Sequence, residues 1–195
     1  MYAGRPERIR EAWVALRRVI LGSPVPEDPL HADSTLKWLT RLWPQAPLAL
    51  RMAAYAHDIE RAISPRRVKR VWFSDYERYK QVHALASAEI FRKLLLKAGL
   101  EPGFVAVAAR AVAHHESGGY PAADLLSWAD KLSFFETNLP LFARRTSLHE
   151  LADRIRWGME KLPERLKPLA RTIATEAIGH EAARRLGLAS TGSCE

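Results

Sequence analysis

The sequence predicts an all-α protein, a single-domain helical bundle of about eight helices. Apolar residues recur at spacings of three and four in segment after segment. Proline and glycine fall mainly between those segments. No stretch alternates as a half-buried strand would, and there is no internal repeat or low-complexity linker. The 195 residues suit one domain, residues 1–195, with a site-bearing core at about 30–138 and closing helices at about 148–186.

The first helix covers 6–21, with Ile9, Trp13, Leu16 and Ile20 in its stripe. Three prolines make 23–29 a loop. The second helix, about 30–43, buries Leu36, Leu39 and Trp43, and Pro44 and Pro47 end it. The third, about 48–63, is alanine-rich and carries His57-Asp58. Pro65 and a basic loop (Arg66, Arg67, Lys69, Arg70) follow. The fourth runs from 76 to 98 and stops at Gly99. The fifth starts near Pro102 and ends on His114-His115, before the turn of Gly118, Gly119 and Pro121. The sixth, about 122–137, carries Asp130. Two more cover 148–161 and 164–186. In these, Trp157, Leu162, Leu166 and Leu169 cap the core or build a homodimer interface, although no residue argues for the dimer.

Net charge is +8 and the pI is near 9.9. The basic residues are mostly arginine, spread over several helices and not gathered into one block with interleaved aromatics. That favours a basic rim around a site for a small phosphorylated substrate over dedicated nucleic-acid binding. No apolar run approaches the ~18–20 residues that cross a bilayer, and charges interrupt the N-terminal segment, so the expectation is a cytoplasmic protein without a membrane partner. The one cysteine, Cys194, lies in a polar tail and excludes an internal disulfide.

Five of the seven histidines and two aspartates fall in an ordered set: His31, His57-Asp58, His83, His114-His115 and Asp130. Imidazole and carboxylate are ligands for Zn, Fe, Mn, Co or Ni, and the set reads as a divalent metal site built from several helices. All but His31 also have a plainer account. Asp58 and Arg61, three apart on a helix, make an ion pair beside a core His57. Tyr76, Lys80, His83 and Ser87 form one polar stripe, which the helix alone favours as facing water over a cavity, with Val82, Ala86, Ile90 and Leu94 on a packing face. His114 and His115 gain from a helix C-terminus. Asp130 pairs with Lys131, although its apolar setting favours a metal as its counter-charge.

The ordered set resembles the HD-domain superfamily of metal-dependent phosphohydrolases, carried by His31, the His57-Asp58 doublet and Asp130 over about 30–138. The resemblance implies that these residues bind one metal. It also implies that a second ion, where present, shares Asp58 and takes His83 and His114, with His115 as a substitute or a substrate contact. HDIER (57–61) is similar to the HDIGK of the HD-GYP branch. HHESGGYP (114–121) is similar to that branch's HHE…GYP segment but several residues shorter, which sets it apart from cyclic di-GMP hydrolysis. The stretches HADSTLKWL, KQVHALASAEI and ADKLSFFETN look like a small, poorly characterised HD group.

The implied function is hydrolysis of a phosphomonoester or phosphodiester, of a nucleotide, by metal-activated water attacking phosphorus in line. Asp58 holds or bridges the one or two ions. Arg61 and Lys80, with Lys131 as a further candidate, neutralise phosphate charge, and Glu116 shuttles a proton or supports a ligand histidine. Two alternatives stand beside it. An HD-type di-iron oxygenase uses a similar ligand set, and a non-enzymatic module would bind a nucleotide or nucleic acid without turnover.

Overall fold

The computed structural model describes residues 5–63 and 68–188. Pro65, Arg66 and Arg67 of the basic loop and Cys194 of the tail lie outside the described residues. The architecture is all-α, with no strand among the described residues. No helix among them is long and apolar enough to cross a membrane. The chain divides into two compact units, residues 1–129 and 130–195.

In the first unit, α1 (Pro6–Leu21) starts on a proline, whose missing N–H costs nothing in a first turn. It buries Ala12, Leu16 and Ile20. The second helix, α2 (Asp28–Leu42), begins one half-turn earlier than the periodicity suggests, because Pro29 opens it. It buries Trp38 and Leu39 and leaves Trp43 exposed, so Trp38 takes the place expected of Trp43. Next, α3 (Leu48–Ala56) is buried nearly all round, its alanines letting α2 and α5 (Pro102–Ala113) close on both sides of it. The long α4 (Tyr76–Lys97) packs along α5, with Asp75 accepting from the Glu77 N–H as its N-cap. Phe91 and Leu95 are fully buried on α4, each worth about 1.5–3 kcal/mol. The expected packing face, Val82, Ala86, Ile90 and Leu94, is only half-buried. The polar stripe of Lys80, His83 and Ser87 is buried instead, so it does not face water.

The division between units falls inside α6 (Pro121–Ser133). In the second unit the chain widens into a π-helical stretch at Phe134–Asn138 before α7 (Leu139–Ala143). The sequence suggests plain helix to 137. Pro140 has no N–H for the Glu136 carbonyl, and Thr137 bonds back to the Ser133 carbonyl at 2.8 Å, so the α register does not continue. A capping box of Ser147 and Glu150 starts α8 (Leu148–Glu160).

The segment expected as one helix over 164–186 is broken. A 3-10 turn (Glu164–Leu166) leads into α9 (Lys167–Ile178), and Gly179, at φ 84°, separates it from α10 (His180–Arg185). Leu162 and Leu166 are buried, while Leu169 is exposed.

Gly158 of α8 lies under the fully buried Phe135 ring, and a Cβ there would stand 2.7 Å from Phe135 Cζ. Gly158→Ala gains about 1 kcal/mol of helix propensity but forces a packed ring to move, costing about 1–3 kcal/mol. The expected net is a loss of roughly 1 kcal/mol in a urea titration, and a stabilised variant would contradict this packing.

Candidate metal centre

The His57-Asp58 doublet does not lie within a helix as expected. The α3 helix stops at Ala56, and the doublet occupies the turn before a 3-10 segment, Ile59–Ala62. His57 Nδ1 donates to the Ala54 carbonyl at 3.0 Å. That is the carbonyl the Asp58 N–H would reach if the helix continued. The ring therefore ends the helix, and the turn brings Asp58 round beside the ring's other nitrogen.

The same device closes α5. His115 Nδ1 donates to the Val112 carbonyl at 2.7 Å, three residues back, and the chain leaves the helix after Ala113. Gly118, at φ 66°, then allows the turn, its Cα lying against the Asp124 carboxylate that accepts from the Gly119 N–H at 2.9 Å. Of the two adjacent histidines only His115 is buried. His114 is exposed and packs edge-on against Tyr120, with centroids 5.7 Å apart. The structure thus brings His115, not His114, to the cluster. Neighbouring side chains diverge at a helix end, so one of the pair faces inward and the other outward.

His83 comes from the middle of α4. Its Nδ1 donates to Glu60 Oε2 at 2.7 Å, and its Nε2 lies 2.8 Å from Asp58 Oδ1. Glu60 is fully buried and absent from the expected site. Its other oxygen accepts from the Val68 N–H, and its own N–H donates to Ser87 Oγ at 3.3 Å. The carboxylate orients the ring as outer-shell partners of metal-bound histidines do.

A carbonyl or carboxylate oxygen can only accept. The Nδ1 atoms of His57, His83 and His115 therefore carry hydrogen, and in a neutral ring each Nε2 is a lone-pair donor. All converge on Asp58. Oδ1 lies 2.8, 3.6 and 3.9 Å from Nε2 of His83, His57 and His115. His31, from the first turns of α2, places its Nε2 3.2 Å from that of His57 and 3.9 Å from Asp58 Oδ2. Burial pushes the Asp58 carboxyl up, but His57, His83 and Arg61 outweigh it and hold the pKa well below the ordinary range.

Arg61 makes the expected ion pair with Asp58 (3.0 Å) and a second with Asp28 (3.0 Å). Asp28 is buried at the start of α2 and accepts from Ser23 Oγ at 2.6 Å. Arg61 therefore clamps a site carboxylate to α2. Lys80 is buried, its Nζ 2.7 Å from Glu116 Oε2, and Glu116 Oε1 lies 3.9 Å from His115 Nε2. Asp130 is buried on α6 and pairs with the Lys131 ammonium at 2.5 Å, the plainer account the sequence offered for it.

Tyr79 also went unforeseen. It sits four residues before His83 and stacks on that ring at 6.2 Å. Burial pushes its phenol pKa up, Asp58 adds to this, and Arg61 opposes it. Signals existed for all three missed residues: Glu60 follows the doublet by two, Asp28 precedes His31 by one turn, and Tyr79 precedes His83 by one turn.

Asp58, His83 and His115 present ligand atoms within 4.8 Å of one another, a group that could hold a metal ion. Ligand atoms about 2.1 Å from a tetrahedral ion stand ~3.4 Å apart, which the separations of 2.8–3.9 Å around Asp58 bracket. No curated protein and no solved structure matches the chain. The model of a family described as a domain of unknown function, DUF4202, matches residues 17–183, and the chain belongs to that family.

Proposed function

We propose that this protein is a metal-dependent phosphohydrolase acting on a phosphomonoester or phosphodiester of a nucleotide. The observation that carries it is the set of Nε2 atoms around Asp58, three of them left facing the cluster by the bond their own Nδ1 makes. Asp58, His31, His57, His83 and His115 would hold one or two divalent ions, with Asp130 carried as a further ligand by the HD-type resemblance. A bound ion supplies a water activated near neutral pH and positive charge for a phosphoryl oxygen.

The chain's own residues do the rest. Arg61 fixes Asp58 against Asp28, and Glu60 fixes His83. Glu116 lies at the edge of the cluster, positioned by Lys80 to accept a proton from a water beside His115. The Lys80 ammonium, while it holds Glu116, adds positive charge for a substrate phosphate.

The test is metal content by elemental analysis of untagged protein purified without chelator, followed by a panel of nucleotides and generic phosphoesters. One or two Mn, Co, Ni, Zn or Fe ions per chain with metal-dependent phosphate release is the expected result. Two irons with oxygen-dependent substrate loss would replace this reading with the oxygenase. No metal after reconstitution, with nucleotide bound and not turned over, would replace it with the binding module.

A further inference from the structure

Val71 and Trp72 are adjacent, and at 84% and 62% exposure they are among the most exposed large apolar side chains of the described residues. They lie in a 3-10 turn, Arg70–Trp72, between the Arg61 segment and α4. An exposed indole forgoes the gain of taking its apolar surface out of water.

This turn is tied to the metal centre by rings. Phe73, the next residue, packs against Tyr79 at 5.9 Å, and Tyr79 stacks on His83 at 6.2 Å. The Arg70 guanidinium lies over the Tyr76 ring at 5.5 Å, and Lys80 Nζ is 5.8 Å from the same ring. Arg70 also donates to the Phe73 carbonyl, which closes the turn. Lys69 Nζ sits 5.8 Å from the centre of the Trp72 ring. Between Lys69 and Lys80, four aromatic rings (Trp72, Phe73, Tyr76 and Tyr79) and four cations (Lys69, Arg70, Arg78 and Lys80) fall within twelve residues, beside the two acids Asp75 and Glu77. This short basic-aromatic segment reaches the His/Asp cluster through Tyr79.

We propose that Trp72 is a stacking ledge for the nucleobase of a phosphorylated nucleoside, and that Lys69 and Arg70 draw in its phosphate. Stacking needs only a flat, exposed ring, and it tolerates any base because each has a π face. The two cations favour an anionic occupant over an apolar peptide. The ring path to His83 begins at Phe73, the residue after Trp72, and so links the turn that carries the ledge to the metal centre. The phosphate end of the ligand rests on the phosphohydrolase reading, whereas base stacking stands without it.

The experiment is calorimetric binding of the four ribonucleoside 5′-monophosphates and of ribose 5-phosphate, which shares their sugar and phosphate but has no base. Wild type, Trp72→Ala, Trp72→Phe and Asp58→Ala are compared. At least one mononucleotide is expected to bind wild type about tenfold tighter than ribose 5-phosphate. Trp72→Ala abolishes that preference, Trp72→Phe keeps most of it, and Asp58→Ala keeps it while losing turnover.

A short single-stranded oligonucleotide distinguishes a strand end from a free nucleotide as the source of the base, and tight binding of either supports the ledge. An unchanged preference in Trp72→Ala overturns it. So does Trp72-dependent binding to phosphatidylserine vesicles without base preference. Turnover of mononucleotide and ribose 5-phosphate alike, indifferent to Trp72, would sink the ledge and leave the hydrolase. Stacking in Asp58→Ala, with no metal-dependent turnover in wild type, would do the reverse.

Discussion

Asp58→Ala is expected to lose its metal and at least about a thousandfold in phosphoester turnover, equivalent to ~4 kcal/mol of barrier. Its Oδ1 is the point on which the Nε2 atoms of His57, His83 and His115 converge, and without it the imidazoles have no shared anionic partner for an ion. The variant should stay folded, because Arg61 keeps its pair with Asp28 and Asp58 lies in a turn, outside the helical core. Elemental analysis, circular dichroism and phosphate release on one preparation check this. Full metal content with normal turnover would remove Asp58 from the site.

Metal uptake is expected to release a proton and to strengthen steeply with pH. Burial pulls the His83 pKa down, but its bonds to Asp58 and Glu60 and their charges prevail, pushing it up to about 10. In the metal-free protein His83 is thus an imidazolium held between two carboxylates. An ion that takes its Nε2 must displace that proton, so apparent affinity should rise about tenfold per pH unit from about pH 7 to 9. His83→Gln should flatten that slope, and Glu60→Gln should weaken binding about 10–100-fold.

The same shifts set the stability of the metal-free protein. The His83 pKa is raised above its ordinary 6.5, so its contribution is complete below that value and lost as pH climbs through about 10. The Asp58 pKa is lowered, so its contribution is present above the ordinary 3.8 and lost as pH falls below it. The site's contribution is therefore greatest between pH 3.8 and 6.5. Chelator-buffered titrations and urea midpoints against pH test both statements, and a pH-independent affinity in wild type would contradict the first.

Helix periodicity placed most elements closely, because it reports local burial. It misread three places where a single group overrides the pattern. His57 back-bonds and ends α3 early, Pro140 removes a donor after α6, and Gly179 turns left-handed between α9 and α10. It also favoured water for the stripe of Lys80, His83 and Ser87, which is buried, since α4 has polar residues on more than one side.

That histidines and aspartates gather in buried groups able to hold an ion was legible in the residue order, as was the all-α class. Imidazole and carboxylate chemistry belongs to the side chain, and helical period belongs to the local sequence. Which of His114 and His115 turns inward was decided by the tertiary structure, as were the second carboxylate that steers His83 and the Asp28 anchor that holds Arg61. Asp28 and Arg61 are 33 residues apart in sequence, and Glu60 and His83 are 23 apart. Contacts across such distances form only when helices pack, and no local period encodes them.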